Sequence, residues 1–328
     1  MSKMFSKIAS LPPNFKMPLA HLEFEQIDVK TYSNHQHSCY VKKIGGVFLK
    51  GLNQKKLAKK ENIFGLTPNH GRVAATSGPK KTAILIKGIG WTLGGPQVLL
   101  SEKDDELCFG LYDEESALRE ITVSEYIEDL AIPATRVIGY ARINDQSLAK
   151  AKFSSGKLIS PCLLYTKAQS LFRVSDLIYF DPKQKRELIL YICIVLGIEP
   201  KKYFDWFCVR LGETIGMLHE AGGCNDTLDW SNITLAGEIT DFEWIYVPNI
   251  PLPWGDGETQ LFKRRDKEII YAFEICTKLS YLLQSAQKTS NSKIITSLES
   301  GYYKYTNEKR NVFDKLKKTH VFENLFSP

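Results

Sequence analysis

The amino-acid sequence predicts an α+β chain in two parts, a strand-rich first half carrying one inserted helix and then a mostly helical second half. Three observations predict it. Short apolar runs bounded by glycine and proline fill the first half, among them 46–49 (GVFL) and 82–87 (TAILIK). The second of these lies between Gly78-Pro79 and Gly88, as a buried strand does. One helical pattern interrupts these runs at 113–130, where Asp113 stands as the cap, Glu114 and Glu115 suit the first turn, and Pro133 follows the end. From Gln184 onward helical patterns prevail, at 188–196, 204–221, 267–286 and 312–316.

The remaining elements follow from the same cues. Residues 88–95 (GIGWTLGG) read as a Gly-rich turn, 133–140 and 163–165 as further strands, and 233–245 as a strand, a turn and a strand. The boundary falls near 175–183, so 1–175 and 176–328 are the two expected lobes.

Composition narrows the class. The 328 residues suffice for a sizeable core, and 43% hydrophobic with 24% charged residues is an ordinary globular balance that argues against long disorder. The most apolar run, 188–196, stops at Gly197, short of the roughly 18 residues a membrane helix needs, so no membrane partner is expected. Residues 1–15 lack the apolar stretch of a secretory signal. Seven cysteines without any CxxC spacing suit reduced thiols in a cytoplasmic protein, and no metal site of Cys and His is expected. The net charge of +6 is modest. Its basic clusters (55–60, 80–81, 183–186, 263–265 and 315–318) read as solvated faces, and no nucleic-acid partner is expected.

The inserted helix carries the first chemical signal. Val123, Ile127 and Leu130 follow Glu120 by three, seven and ten residues, so Glu120 shares an apolar stripe. A carboxylate there needs a cation, unless it stands at the stripe's edge and reaches water. Lys87, at the end of TAILIK, is the natural partner. A buried Lys–Glu pair between a strand and a helix is how protein kinases hold nucleotide phosphates. The second half supplies a matching layout: an amphipathic helix (211–222, LGETIGMLHEAG), a loop through Cys224, Asn232, a turn at Gly237, and Asp241 after a short strand. In kinases an Asn and an Asp so placed hold magnesium through hard oxygen ligands, and Asn232 and Asp241 fit those roles; the alternative is that both simply form turns. His219 on the amphipathic helix reads as a packing residue, and Trp244 as core or as packing beneath the nucleotide. These signals together predict a bilobal protein-kinase-like fold.

Several short segments carry a family resemblance. Residues 87–92 (KGIGWT) resemble the KGxGxT segment of selenoprotein O, a protein-kinase-like family that transfers AMP to proteins. Arg119-Glu120, Ser124-Glu125 and Ile132-Pro133-Ala134-Thr135-Arg136 are similar to that family's RE, SEA and GIPTTR segments, in order. Cys224 to Asn232, with Asp241 nine residues on, is similar to its CHGVMNTDN segment and following Asp. The match spans 84–242, roughly half the chain.

The resemblance implies ATP and Mg2+ as cofactors, Lys87 and Glu120 as the phosphate-gripping pair, and Asn232 and Asp241 as magnesium ligands. Lys167 and Arg173 resemble, with one residue fewer between them and one Arg replaced by Lys, the two arginines that hold ATP flipped in that family. A flipped nucleotide presents its α-phosphate, so the implied reaction is AMP transfer to a hydroxyl of a protein or small molecule, with pyrophosphate leaving. Ser231 stands where the family has the Asp thought to act as base, and Asp226 and Asp229 are the nearby acids that replace it as candidates. Only His70-Gly71-Arg72 resembles the family's Gly-rich stretch. Two alternatives stay open: phosphoryl transfer, since antibiotic and metabolite kinases share the LHEAG…N…D layout, and nucleotide binding without turnover, for which Ser231 is the sign.

Overall fold

The computed structural model describes residues 11–12, 15–19, 24–34, 38–49, 63–78, 82–90, 110–144, 157–250, 261–283 and 289–318. The chain divides into two compact units, Met1–Glu125 with Thr135–Tyr179, and Tyr126–Ala134 with Phe180–Pro328.

The first unit is built on a six-stranded antiparallel sheet. Its strands in chain order are β2 (Val29–Ser33), β4 (Phe64–Gly65), β5 (Val73–Ser77), β6 (Ala83–Lys87), β7 (Arg136–Ile143) and β8 (Cys162–Ala168). Their spatial order is β2-β7-β8-β6-β5-β4. β6 and β8 lie inside the sheet and pair with each other, Lys87 opposite Leu164. That position explains why both read as near-continuous apolar runs: Ile84, Ile86, Leu163 and Tyr165 join one core with Ile138 and Ala141. A small second sheet pairs β1 (Phe24–Ile27) with β3 (Gly46–Leu49), and a short helix, α1 (Ser38–Ile44), precedes β3. Phe24, Val47 and Phe48 belong to the same core.

Gly88 ends β6 for a steric reason. Its φ is +93°, and a Cβ there would meet the Cys162 carbonyl at 2.4 Å, so only glycine turns the chain away directly after Lys87. The inserted helix, α2, spans Glu114–Asp129. Asp113 caps it, accepting from the Glu115 N–H at 3.1 Å and from the Ser160 N–H at 2.8 Å. Val123 and Ile127 are buried as the stripe predicts. Leu130 is not: the helix ends one residue earlier, and the side chain is 39% exposed. The expected strand at 133–140 begins later, as β7, because Ala134 forms an isolated bridge with Ile239 instead.

The second unit is mostly helical, with α3 (Pro182–Leu196), α4 (Tyr203–Glu220), α5 (Leu261–Leu282), α6 (Asn291–Tyr302) and α7 (Asn311–Lys318). α3 starts with a reciprocal Asp181–Gln184 capping box and stops at Gly197 in the left-handed conformation. α4 and α6 meet backbone to backbone. A Cβ on Gly212 would lie 2.1 Å from the Leu298 carbonyl, and one on Gly301 the same distance from the Val209 carbonyl. The glycines inside the LGETIG segment are therefore packing residues. Two short strands, β9 (Cys224–Asn225) and β10 (Ile245–Tyr246), pair antiparallel. The strand, turn and strand expected over 233–245 is smaller than that: one bridge joins Ile233 to Ile239 around a turn at Gly237, φ +69°.

An N-terminal antiparallel sheet with its helix, followed by a mostly helical part, is a protein-kinase-like fold. No described helix is long and apolar enough to cross a membrane.

Candidate functional site

Lys87 is the last residue of β6, and Glu120 lies almost two turns into α2. The Lys87 Nζ donates to Glu120 Oε1 at 2.7 Å, with Glu120 only 3% exposed. The reading in which Glu120 reaches water is therefore overturned: the helix turns it inward with Val123 and Ile127, where a cation and a hydroxyl meet it. The hydroxyl belongs to Tyr112, which donates to the same Oε1 at 2.5 Å. Breaking such a buried pair by removing one partner costs about 3–5 kcal/mol, because the other charge is left uncompensated.

Lys167 and Arg173 sit on different elements of this unit. Lys167 lies on β8 opposite Ile84 and Arg136, half-buried. Arg173 lies in the turn beyond it, and its backbone N–H donates to the buried Asp176 at 2.7 Å. The Arg173 Nε is buried with no hydrogen-bond partner among the described residues. Asp176 also accepts from the Thr67 hydroxyl and from His70 Nε2, at 2.8 Å for the histidine, which ties the turn at 67–70 to the segment holding Arg173.

In the second unit the loop after α4 is folded by its own Asx side chains. Asn225 Oδ1 accepts from the Thr227 N–H at 3.0 Å and Asp229 Oδ1 from the Ser231 N–H at 2.8 Å. Asn232 Nδ2 donates to the Thr227 carbonyl at 3.1 Å, which fixes the side-chain amide and leaves its oxygen as the acceptor. Asp226, Asp229 and Asn232 line one cleft of about 370 Å³, together with Tyr271, Glu274 and Lys278 from α5. The cleft thus brings together three of the four site residues expected here. The fourth, Asp241, is joined to them through the backbone, since the Thr240 N–H donates to the Asn232 carbonyl at 2.9 Å.

Asp241 has φ +67°, a left-handed conformation that costs a side-chain-bearing residue energy and that Asp tolerates better than most. Its carboxylate does not cap the short helical turn that follows, and lies within 4.8 Å of the Glu243 carboxylate. Asp226 is held by Arg264 at 3.0 Å. Sequence reading missed Arg264, Glu274 and Lys278, although Tyr271, Glu274 and Lys278 recur at helical spacing on one face of α5. It also missed Tyr112, which no periodicity marks.

His219 is buried and bonded on both ring nitrogens, to Tyr302 at 2.9 Å and Glu268 at 2.8 Å, which is a packing role. Trp244 is 40% exposed and does not fill the core. Trp91 and Thr92 of the Gly-rich turn, the basic cluster at 55–60, and His21, His35 and His37 lie outside the described residues.

No family model matches this chain. No curated protein matches it either. Among solved structures, the kinase domain of a Toxoplasma gondii rhoptry antigen is similar at a TM-score of 0.37 and 9% identity, covering 96% of this chain and 95% of that one.

Proposed function

We propose that this chain is an ATP- and Mg2+-dependent transferase that attaches AMP to a hydroxyl acceptor. The buried Lys87–Glu120 pair carries the reading, because a lysine at a strand end locked to a helical carboxylate is the device that kinase-like enzymes use to grip nucleotide phosphates. The second unit offers what magnesium takes, hard oxygen donors: the fixed Asn232 amide and the neighbouring Asp241 and Glu243 carboxylates. Bound magnesium supplies charge neutralisation at the phosphates. Lys167 and Arg173 are the cations assigned to the flipped nucleotide, in keeping with the resemblance to selenoprotein O, and Lys167 serves there as a point charge rather than a fork. Of the two candidate bases, Asp229 spends one oxygen on its own loop and Asp226 is paired with Arg264.

That last observation favours a second reading, nucleotide binding without turnover, because both acids already have partners and Ser231 has no carboxylate. The test is incubation with Mg2+ and ATP labelled at either the α- or the γ-phosphate. AMP transfer predicts α-label in the acceptor, reduced at least 100-fold by Lys87→Ala or Asp241→Ala. Label arriving only from the γ-position makes the enzyme a phosphotransferase. No label from either, with a melting temperature still raised by Mg·ATP, leaves the binding reading alone standing.

A further inference from the structure

Tyr112 lies immediately before the cap of α2 and is fully buried. Its hydroxyl and the Lys87 ammonium converge on one oxygen, Glu120 Oε1, at 2.5 and 2.7 Å. The ammonium also stands 4.3 Å from the centre of the Tyr112 ring, so one side chain touches both members of the pair. Tyr112 is itself anchored. Its carbonyl accepts from the Cys162 N–H on β8 at 2.8 Å, and its Cβ lies against the point where Gly88 leaves β6. From the turn before β5, Arg72 stacks its guanidinium 4.8 Å from the ring centre and donates to the neighbouring Leu111 carbonyl at 3.0 Å.

We propose that Tyr112 is a positioning residue that holds the Lys87–Glu120 pair in the geometry needed to grip a nucleotide phosphate. The proposal rests on the function given above and deepens it. A phosphate group competes with Glu120 for the lysine ammonium. With lysine as the sole donor, a carboxylate in an apolar stripe loses part of its compensation whenever the ammonium leans toward the phosphate. The tyrosine hydroxyl keeps Oε1 satisfied through that motion, and the ring face keeps the cation close to its post. Arg72 carries the same restraint to the turn before β5.

The test compares the full chain with Tyr112→Phe, Glu120→Gln and the double variant. Mg·ATP affinity is measured by calorimetry and the fold by melting temperature. Tyr112→Phe keeps the ring and loses only the hydroxyl, and it is expected to weaken binding roughly tenfold. In the Glu120→Gln background the same change is expected to weaken binding less than about twofold, because the hydroxyl acts through that carboxylate. Equal losses in both backgrounds overturn the proposal, since a packing role is indifferent to the charge on Glu120. A second readout needs no nucleotide: the rate at which an amine-reactive acylating reagent modifies Lys87, followed by peptide mass spectrometry. Tyr112→Phe is expected to raise that rate several-fold, and an unchanged rate overturns the proposal. If the rate rises while the parent chain binds no Mg·ATP, Tyr112 still positions Lys87 and it is the nucleotide reading that fails.

Discussion

Two fully buried carboxylates, Asp176 in the first unit and Glu268 in the second, each face a buried histidine at 2.8 Å, yet they carry different charges. Asp176 accepts from the Thr67 hydroxyl, His70 Nε2 and the Arg173 backbone N–H. Burial pushes its pKa up, but His70 and those donors outweigh burial and hold it below the usual aspartate value. Burial pushes the His70 pKa down, with the Asp176 carboxylate opposing. Glu268 hydrogen-bonds His219 through Oε2 and meets the Asn225 N–H, and its Oε1 has no side-chain partner among the described residues. Burial raises its pKa to about 8, with the Asn225 N–H and the Arg265 charge opposing too weakly to reverse it. His219 lies well below its usual value, through burial and then the charges of Arg265 and Arg310. With Glu268 protonated and His219 neutral, the Glu268 O–H donates to Nε2 and the Nδ1–H donates to Tyr302. The histidine is common to both. The surroundings differ: His70, the Thr67 hydroxyl and the Arg173 N–H outweigh burial at Asp176, whereas burial prevails at Glu268.

Three experiments break or sharpen the contrast. The largest effect is expected from Asp176→Ala, which strands three donors and should lower unfolding stability by about 3–5 kcal/mol in urea titrations. A loss below about 1 kcal/mol would mean that the donors find water or other partners and that the site is not sealed. The next effect is a pH slope. Glu268 titrates higher folded (about 8) than unfolded (4.5), so its stabilising proton is fully held below 4.5 and its contribution is lost as pH rises toward 8. His70 and His219, both lowered, act with the opposite sign, stability rising with pH up to their unfolded value of 6.5. The uncompensated window is pH 6.5 to 8, where stability should fall by about 2 kcal/mol and Glu268→Gln should abolish the fall. A slope identical in the variant assigns the titration elsewhere. The smallest effect is Thr67→Ala, which removes one of Asp176's three donors and should cost about 1 kcal/mol. A loss as large as that of Asp176→Ala would show that the donors act as one unit rather than singly.

Much of the fold was legible because its signals are local. TAILIK announced β6, the acidic turn and Asp113 announced α2, and one stripe put Glu120 on the buried face. Other parts left no such signal. α6 sets its Leu298 and Tyr302 carbonyls against Gly212 and Gly216 of α4, and its own Gly301 against the Val209 carbonyl, a close backbone approach that neither segment announces alone. Asp226 and Asp229 were marked by their place in the loop, whereas Arg264 and the α5 face of the cleft come from a helix more than thirty residues on.

The amino-acid order by itself marked β6, the inserted helix α2 and the helical patterns of the second half, and indicated that a lysine-ended strand and a carboxylate-bearing helix belong to one core. These depend on periodicity, capping and glycine conformation, which act over a few neighbouring residues. Only the tertiary structure decided that Tyr112 joins Lys87 at Glu120, and that one buried acid keeps its charge while another keeps its proton. Burial and donor count are set by side chains brought together from far along the chain, His70 and Asp176 being 106 residues apart. Electrostatic free energy follows those distances in space, which no spacing in the sequence records.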